Sequence, residues 1–303
     1  MNGFLIINKQ EGWTSHDVVA KARGILGTKK VGHLGTLDPL ATGVLVLAVG
    51  KALKLVEFLM GCEKTYEAEI ELGKVSDTYD YEGKVERQNV KGKMQIAKSE
   101  LKKALESFEG EIEQMPPVYS ALKIKGKKAC DLARAGKKVE LKPRRVKINE
   151  IKILNFEWPF LKLRIDCSTG TYIRSLAHDL GQKLGCGGCL KALNRLRVGN
   201  FKLEEALLIN QINEEKLLLL ERGVEGMNKL LIDSLEAGRL RRGQRLKMQS
   251  SFVHLRQTSA DKKSKCKSQK LDSNNFVAVF ENESFIGVGE IEKDVLKPKK
   301  ILF

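Results

Sequence analysis

Gly32-His33-Leu34-Gly35-Thr36-Leu37-Asp38-Pro39-Leu40-Ala41-Thr42-Gly43 runs straight into Val44-Leu45-Val46-Leu47-Ala48-Val49. The second stretch is continuously apolar and rich in valine, the pattern of a strand buried on both faces. The first is a glycine-dense loop that carries polar side chains onto the end of that strand, where folds commonly present working groups. Pro39 disfavours the α region for Asp38 and so holds its carboxylate in an extended or turn conformation. An Asx turn would use the same residue, so position alone leaves a structural and a functional reading of Asp38 open.

Working outward, Phe4 to Ile7 reads as a short strand. A helix follows, with Ser15 as the expected N-cap and Val18, Val19, Ala22, Ile25 and Leu26 on its inner face. Lys64 to Leu72 alternates cleanly, with Tyr66, Ala68, Ile70 and Leu72 on one face and glutamates on the other, the mark of a half-buried strand. Helices are predicted over Ser99–Phe108, over Thr171–Leu184 (ended by Gly185) and within Glu204–Leu220. Strands are predicted over Val118–Ile124, Val146–Phe156 and Leu161–Cys167. Elements of both kinds are interspersed without a strict βαβ rhythm, so the expected class is α+β with a mixed or mostly antiparallel central sheet and flanking helices. Past residue 232 the character changes to short strands, Phe276–Phe280 and Phe285–Ile291, after a polar Lys-rich stretch at 257–275 expected to be a loop. The expected division is therefore 1–232 and 233–303, the second part a small β-barrel.

The chain has 303 residues, 42% of them hydrophobic and 30% charged, the balance of a soluble globular protein. Lys and Arg number 54 against 38 Asp and Glu, a net charge of +16 that favours a polyanionic partner, nucleic acid being the commonest. No apolar run is long enough to span a membrane, and no signal pattern opens the chain, so a cytoplasmic location is expected. The six cysteines are scattered and do not form a disulfide framework. No His/Asp/Glu cluster has metal-ligand spacing. Neither GxGxxG nor GxxxxGK[ST] occurs, so a dinucleotide enzyme is not supported. Cys186-Gly187-Gly188-Cys189 has one half of a zinc spacing but no His-x-Glu to accompany it, which argues against a zinc deaminase. No cofactor and no metal are expected.

The segment Gly32–Leu45 resembles the catalytic motif of the TruB family of tRNA pseudouridine synthases, which isomerise the uridine at position 55 in the T loop of tRNA. Further matches follow in order: Lys64-Thr65-Tyr66, Asp77 to Gly83, Pro116 to Lys123, Gly170 to Gly181 and Leu193 to Phe201. The resemblance covers residues 3–235. It implies a pseudouridine-synthase fold, an isomerase, and tRNA as partner through its T-arm; nothing in the sequence suggests a protein partner or more than a monomer. Residues 235–303 resemble the PUA-type RNA-binding barrel that ends many members. The basic run near 120–147 (Lys123, Lys125, Lys127, Lys128, Lys137, Lys138, Arg144, Arg145, Lys147) matches an insertion that grips the T-arm.

By the same resemblance Asp38 is the nucleophile and Arg174 its cationic partner. A carboxylate suits the role because it can form a covalent intermediate and leave again. The target base must leave its stack to be reached. The resemblance implies that Tyr66 stacks on it, that Tyr172 lies near it and handles the proton lost at the new carbon bond, that His33 supports the flipped RNA, and that Leu193 walls the uracil pocket. Asp80 matches an acidic residue near the cleft. From the residues alone, Tyr66 is only a buried-side aromatic, Leu193 a core leucine and Arg174 a helix charge. Two positions depart from the family pattern, Gln10 where Pro is usual and Asn194 where Arg is common. The rival readings are a non-catalytic tRNA-binding or folding protein, and a guide-RNA-dependent synthase of the dyskerin type.

Overall fold

The computed structural model describes residues 1–88, 96–120, 122–124, 126–136, 139–248 and 275–302. Its main sheet runs in the order Gly3–Lys9, Ala41–Val49, Gly188–Val198, Lys64–Leu72, Phe160–Cys167, Arg144–Glu157, Gly110–Gln114, with Val31–His33 added to Ala41–Val49 and Phe201–Lys202 to Gly188–Val198. Every pairing is antiparallel except one, that of Ala41–Val49 with Gly188–Val198. The sheet is therefore mixed, and the α+β expectation holds.

Ala41–Val49 is buried on both faces, as its unbroken apolar run requires. Leu45, Leu47 and Val49 enter a core shared with Val18, Val19 and Ala22 of the Ser15–Leu26 helix and with Leu176, Ala177 and Leu180 of the Ile173–Lys183 helix. Val44, Val46 and Ala48 face the other way, into a second core. Side chains of successive strand residues point to opposite faces, and here both faces are covered. Gly181 lets the Ile173–Lys183 helix press onto the start of Gly188–Val198, for a Cβ there would lie 1.9 Å from the Gly188 nitrogen.

Asn228–Ile232, Phe276–Glu281, Ser284–Glu292, Val295–Ile301 and Leu246–Lys247 form, in that order, a second, five-stranded sheet, the PUA-like module. Asn228–Ile232, which precedes the division expected at 232/233, pairs in parallel with Phe276–Glu281 and so is part of this sheet. Phe276, Ala278, Phe280 and Val288 join Val44, Val46 and Ala48 in the second core, and the Phe58 and Phe276 rings meet edge-on at 5.4 Å. Among the described residues no helix is long and apolar enough to cross a membrane.

Three local expectations are corrected. Thr14, not Ser15, caps the first helix through a reciprocal pair with Asp17. The Ser15 hydroxyl instead turns inward, accepting from the Leu37 amide at 2.8 Å and donating to the Leu37 carbonyl. Residues 204–220 form no α-helix but separate single turns, Leu203–Glu205, Ile209–Gln211 and Glu214–Lys216. They lie along the outer edge of Gly3–Lys9, whose free backbone groups they satisfy: Phe4 and Leu218 exchange amide bonds at 3.0 and 2.8 Å, and Asn8 donates to the Leu207 carbonyl at 2.9 Å. The strand expected over Val118–Ile124 is reduced to Lys123–Ile124, because Ser120 donates back to the Val118 carbonyl in a tight bend after Pro116 and Pro117. The Lys-rich stretch 257–275 falls outside the described residues except for Asn275.

Gly43 sits at φ 96°, and a Cβ there would lie 2.3 Å from the Arg195 carbonyl oxygen. Gly43→Ala is expected to lose about 2–4 kcal/mol of stability in a urea titration, from backbone strain and collision across the parallel pairing. A midpoint equal to that of the unaltered chain would show that this approach is not constrained.

Candidate active site

The glycine-rich loop is held from several sides. Asp38 opens a turn in which its carbonyl accepts from the Ala41 amide at 3.0 Å, with Pro39 next, where its fixed φ suits the bend. The Pro39 carbonyl accepts from the Gly12 amide at 2.9 Å and from Lys9 Nζ at 3.1 Å. Glu82 Oε1 accepts from the Leu40 amide at 2.7 Å, which ties the loop to the segment 76–84.

Arg174, on the first turn of the Ile173–Lys183 helix, reaches Asp38 from below the loop. Its Nε lies 3.0 Å from Oδ2 as an ion pair, and its Nη2 donates a single hydrogen bond to Oδ1 at 3.3 Å. Nη2 also donates to the Tyr119 carbonyl at 2.9 Å, and Nη1 stands 3.3 Å from Asp80 Oδ2. Arg174 is thus a buried guanidinium between two carboxylates. Asp80 is fully buried; its Oδ1 accepts from Thr78 Oγ1 at 2.5 Å and from the Glu82 amide at 3.0 Å. Tyr79, just before it, takes φ 66° and stacks on His178 with ring centroids 4.0 Å apart, and this bend turns Asp80 inward. Burial raises the Asp38 pKa above the ordinary aspartate value, with Arg174 pulling it down and Asp80 adding to the rise.

Of the other residues singled out from sequence, Tyr66, Tyr172 and Leu193 lie on the elements that flank this centre. Tyr66 is buried on Lys64–Leu72, opposite Arg195 in register; burial pushes its phenol up to about 12, and Arg195 opposes this. Tyr172 caps the Arg174 helix, exchanging two backbone bonds with the Gln114 side chain at 2.8 and 2.9 Å. Burial also raises the Tyr172 phenol, against Ser120, Arg144 and Arg174. Leu193 is buried in the parallel seam, opposite Ala41 and Ala68. His33 stands at the other end of the loop; its Nδ1 is buried without a hydrogen-bond partner among the described residues, and burial and Arg195 lower its pKa.

Sequence reasoning passed over three supporting charges. Arg195, 1% exposed, donates to the carbonyls of Val44, Thr36 and Gly35 at 2.8, 3.3 and 3.1 Å. Lys9 donates to the carbonyls of Gln10, Trp13 and Pro39, and burial lowers it to about 8. Glu82 holds the Leu40 amide. The signal available for Arg195 was its phase: it shares a strand face with Leu193, where a charge is unexpected. Of the basic run, Arg144, Arg145 and Lys147 are exposed on Arg144–Glu157, Arg145 3.8 Å from Glu113. Lys123, Lys127 and Lys128 lie in a two-stranded hairpin, while Lys125, Lys137 and Lys138 fall outside the described residues.

Residues 23–173 match the model of the TruB family pseudouridylate synthase N-terminal domain. Residues 174–237 match that of the tRNA pseudouridylate synthase B C-terminal domain, and 229–302 that of the pseudouridine synthase II TruB C-terminal region. Proteins called tRNA pseudouridine synthase B in Clostridium acetobutylicum, Clostridium tetani and Aquifex aeolicus are 40%, 38% and 36% identical, each over 100% of this chain and 100% of the relative. Among solved structures the chain is similar to one in a Cbf5-Nop10-Gar1 complex, with a TM-score of 0.70 and 24% identity over 99% of this chain and 84% of that one. A chain of an H/ACA RNP bound to a substrate RNA containing 2′-deoxyuridine gives 0.69 and 22%, over 99% and 85%. At those identities the structural likeness establishes the fold.

Lys64 is 8% exposed, donates to the Cys62 carbonyl at 2.8 Å, and is lowered by burial from 10.5 to about 8. Below pH 8 it is charged both folded and unfolded, so its burial cost is constant. Between 8 and 10.5 only the unfolded chain holds the proton, so stability rises with pH. The stability of the unaltered chain minus that of Lys64→Met is expected to grow across this window by on the order of 3 kcal/mol. Paired denaturant titrations at several pH values check it, and a flat difference would contradict it.

Proposed function

This chain belongs to the TruB family of pseudouridylate synthases, and from that premise we propose that it isomerises uridine 55 in the T loop of tRNA with Asp38 as nucleophile. The observation that carries the reading is the contact of Asp38 with Arg174, itself braced by Asp80. A carboxylate that must attack has to be ionised and aimed; the guanidinium favours the charged form and fixes its orientation, and Asp80 fixes the guanidinium.

Uridine and pseudouridine are isomers, so the reaction needs no oxidant and no energy source. The C1′–N1 bond breaks, a C1′–C5 bond forms, and the proton on C5 leaves while N1 gains one. Asp38 supplies the covalent hold between those events, on ribose or on base. In this reading the flipped base stacks on Tyr66 beside Leu193, Tyr172 collects the C5 proton, and His33, whose buried Nδ1 has no hydrogen-bond partner among the described residues, meets the displaced RNA. Residues 1–232 act as the catalytic part and 233–303 as an RNA-binding part, with Asn228–Ile232 at the join. The basic run near 120–147 grips the T-arm through its phosphates, which makes binding salt-dependent.

Carbodiimide mapping by primer extension on an unmodified tRNA transcript tests the reading. A stop at the T-loop uridine is expected with the unaltered chain and none with Asp38→Asn, which retains tRNA binding. Because burial raises Asp38 and the ionised form attacks, the single-turnover rate is expected to fall on the acid side above the ordinary aspartate value of 3.8. Stops with both proteins would remove Asp38 from the chemistry. Salt-sensitive binding without a stop from either would favour an RNA-folding protein or a guide-dependent enzyme.

A further inference from the structure

Arg195 is the largest fully buried side chain among the described residues, and it makes no ion pair among them. A buried cation without a carboxylate in contact is costly, and an apolar side chain of similar volume would fill the same space without that cost. What the guanidinium does instead is reach three main-chain carbonyls on both limbs of one loop. Nη2 and Nη1 take Gly35 and Thr36, which precede Asp38, and Nε takes Val44, which follows it. Its backbone is fixed at the same place, since Arg195 is the register partner of Gly43 in the parallel pairing and of Tyr66 in the antiparallel one. The planar fork of arginine can span both limbs, whereas a lysine ammonium is a point charge that cannot reach all three carbonyls.

We propose that Arg195 is a positioning residue: a clamp across the two limbs of the Gly35–Val44 loop that sets where the Asp38 carboxylate stands relative to the target nucleotide. The inference rests on Asp38 being the nucleophile. It differs from a role in general stability, because two of the carbonyls it holds, Gly35 and Thr36, belong to the loop that carries Asp38 and the third, Val44, to the strand that this loop enters.

The test compares the unaltered chain, Arg195→Lys, Arg195→Met and Asp38→Asn, each measured for tRNA affinity, single-turnover rate on the free transcript, and amide hydrogen exchange. Arg195→Lys keeps the charge and loses the span; it is expected to bind tRNA within about 2-fold while its single-turnover rate falls by about 30- to 100-fold, the scale of a small misplacement of a reacting group. The Leu37 and Ala41 amides should exchange faster in that variant, with the Lys64–Leu72 strand unchanged. Arg195→Met should be no better than Arg195→Lys. A rate for Arg195→Lys equal to the unaltered one, or loosening spread evenly over the sheet, would overturn the clamp. If neither variant folds, exchange in the unaltered chain decides: Leu37 and Ala41 protected as strongly as the sheet amides support the clamp, and freely exchanging ones overturn it. Normal turnover by Asp38→Asn would defeat the nucleophile reading itself. Loss of turnover there with full turnover in Arg195→Lys would defeat only the clamp.

Discussion

The main sheet turns on one contact, the parallel pairing of Ala41–Val49 with Gly188–Val198. Elsewhere in this sheet neighbouring strands run in opposite directions, so this seam is where the N-terminal strands are joined to the rest. It is short, spanning Leu193 to Arg195 against Ala41 to Gly43, and it needs the two backbones unusually close. Gly43 grants that closeness, and the loop leading into it must then pass directly over Arg195. The loop bearing Asp38 is therefore shaped by sheet geometry rather than left as a free connection. Arg174 approaches the same loop from the helix packed on the sheet, so two independent elements converge on one carboxylate.

The charges around this seam are arranged unequally. Two carboxylates, Asp38 and Asp80, meet Arg174, while Lys9, Lys64 and Arg195 donate to backbone carbonyls instead. Carbonyl oxygens compensate a buried cation only in part, and burial correspondingly lowers both lysines. The arrangement keeps cations near Asp38 without neutralising it: Arg195 and Lys9 both act to favour its ionised form, though neither touches it.

What the sequence made legible follows from period and from motif. The alternation in Lys64–Leu72 and the unbroken run before Val49 had only one good burial solution each, and both are strands as read. Asp38, Arg174 and Asp80 were identifiable through the motifs they sit in, and the structure brings those three together. Other features depended on tertiary partners that a local pattern does not reveal. Ser15 looks like a cap, but Thr14 has the Asp17 needed for the reciprocal pair, and Ser15 is claimed by a loop more than twenty residues away. The leucines of 204–220 suggest a helix, yet the unpaired edge of Gly3–Lys9 draws their backbone into extended runs and single turns. Arg195 lies inside the matched stretch Leu193 to Phe201 but carried no role there, because its partners are carbonyls of a distant loop and carbonyls leave no trace in side-chain chemistry.

The second core has a mechanical consequence. Val44, Val46 and Ala48 present their side chains to the back of the sheet, where Phe276, Ala278, Phe280 and Val288 of the C-terminal sheet complete the packing. The strand that emerges from the Asp38 loop is thus also the floor on which the C-terminal sheet rests. Tilting the C-terminal sheet would open the core under the Asp38 loop. The spacing between that sheet and the Asp38 loop is therefore set by packed side chains, and the second core acts as a spacer of fixed thickness between them.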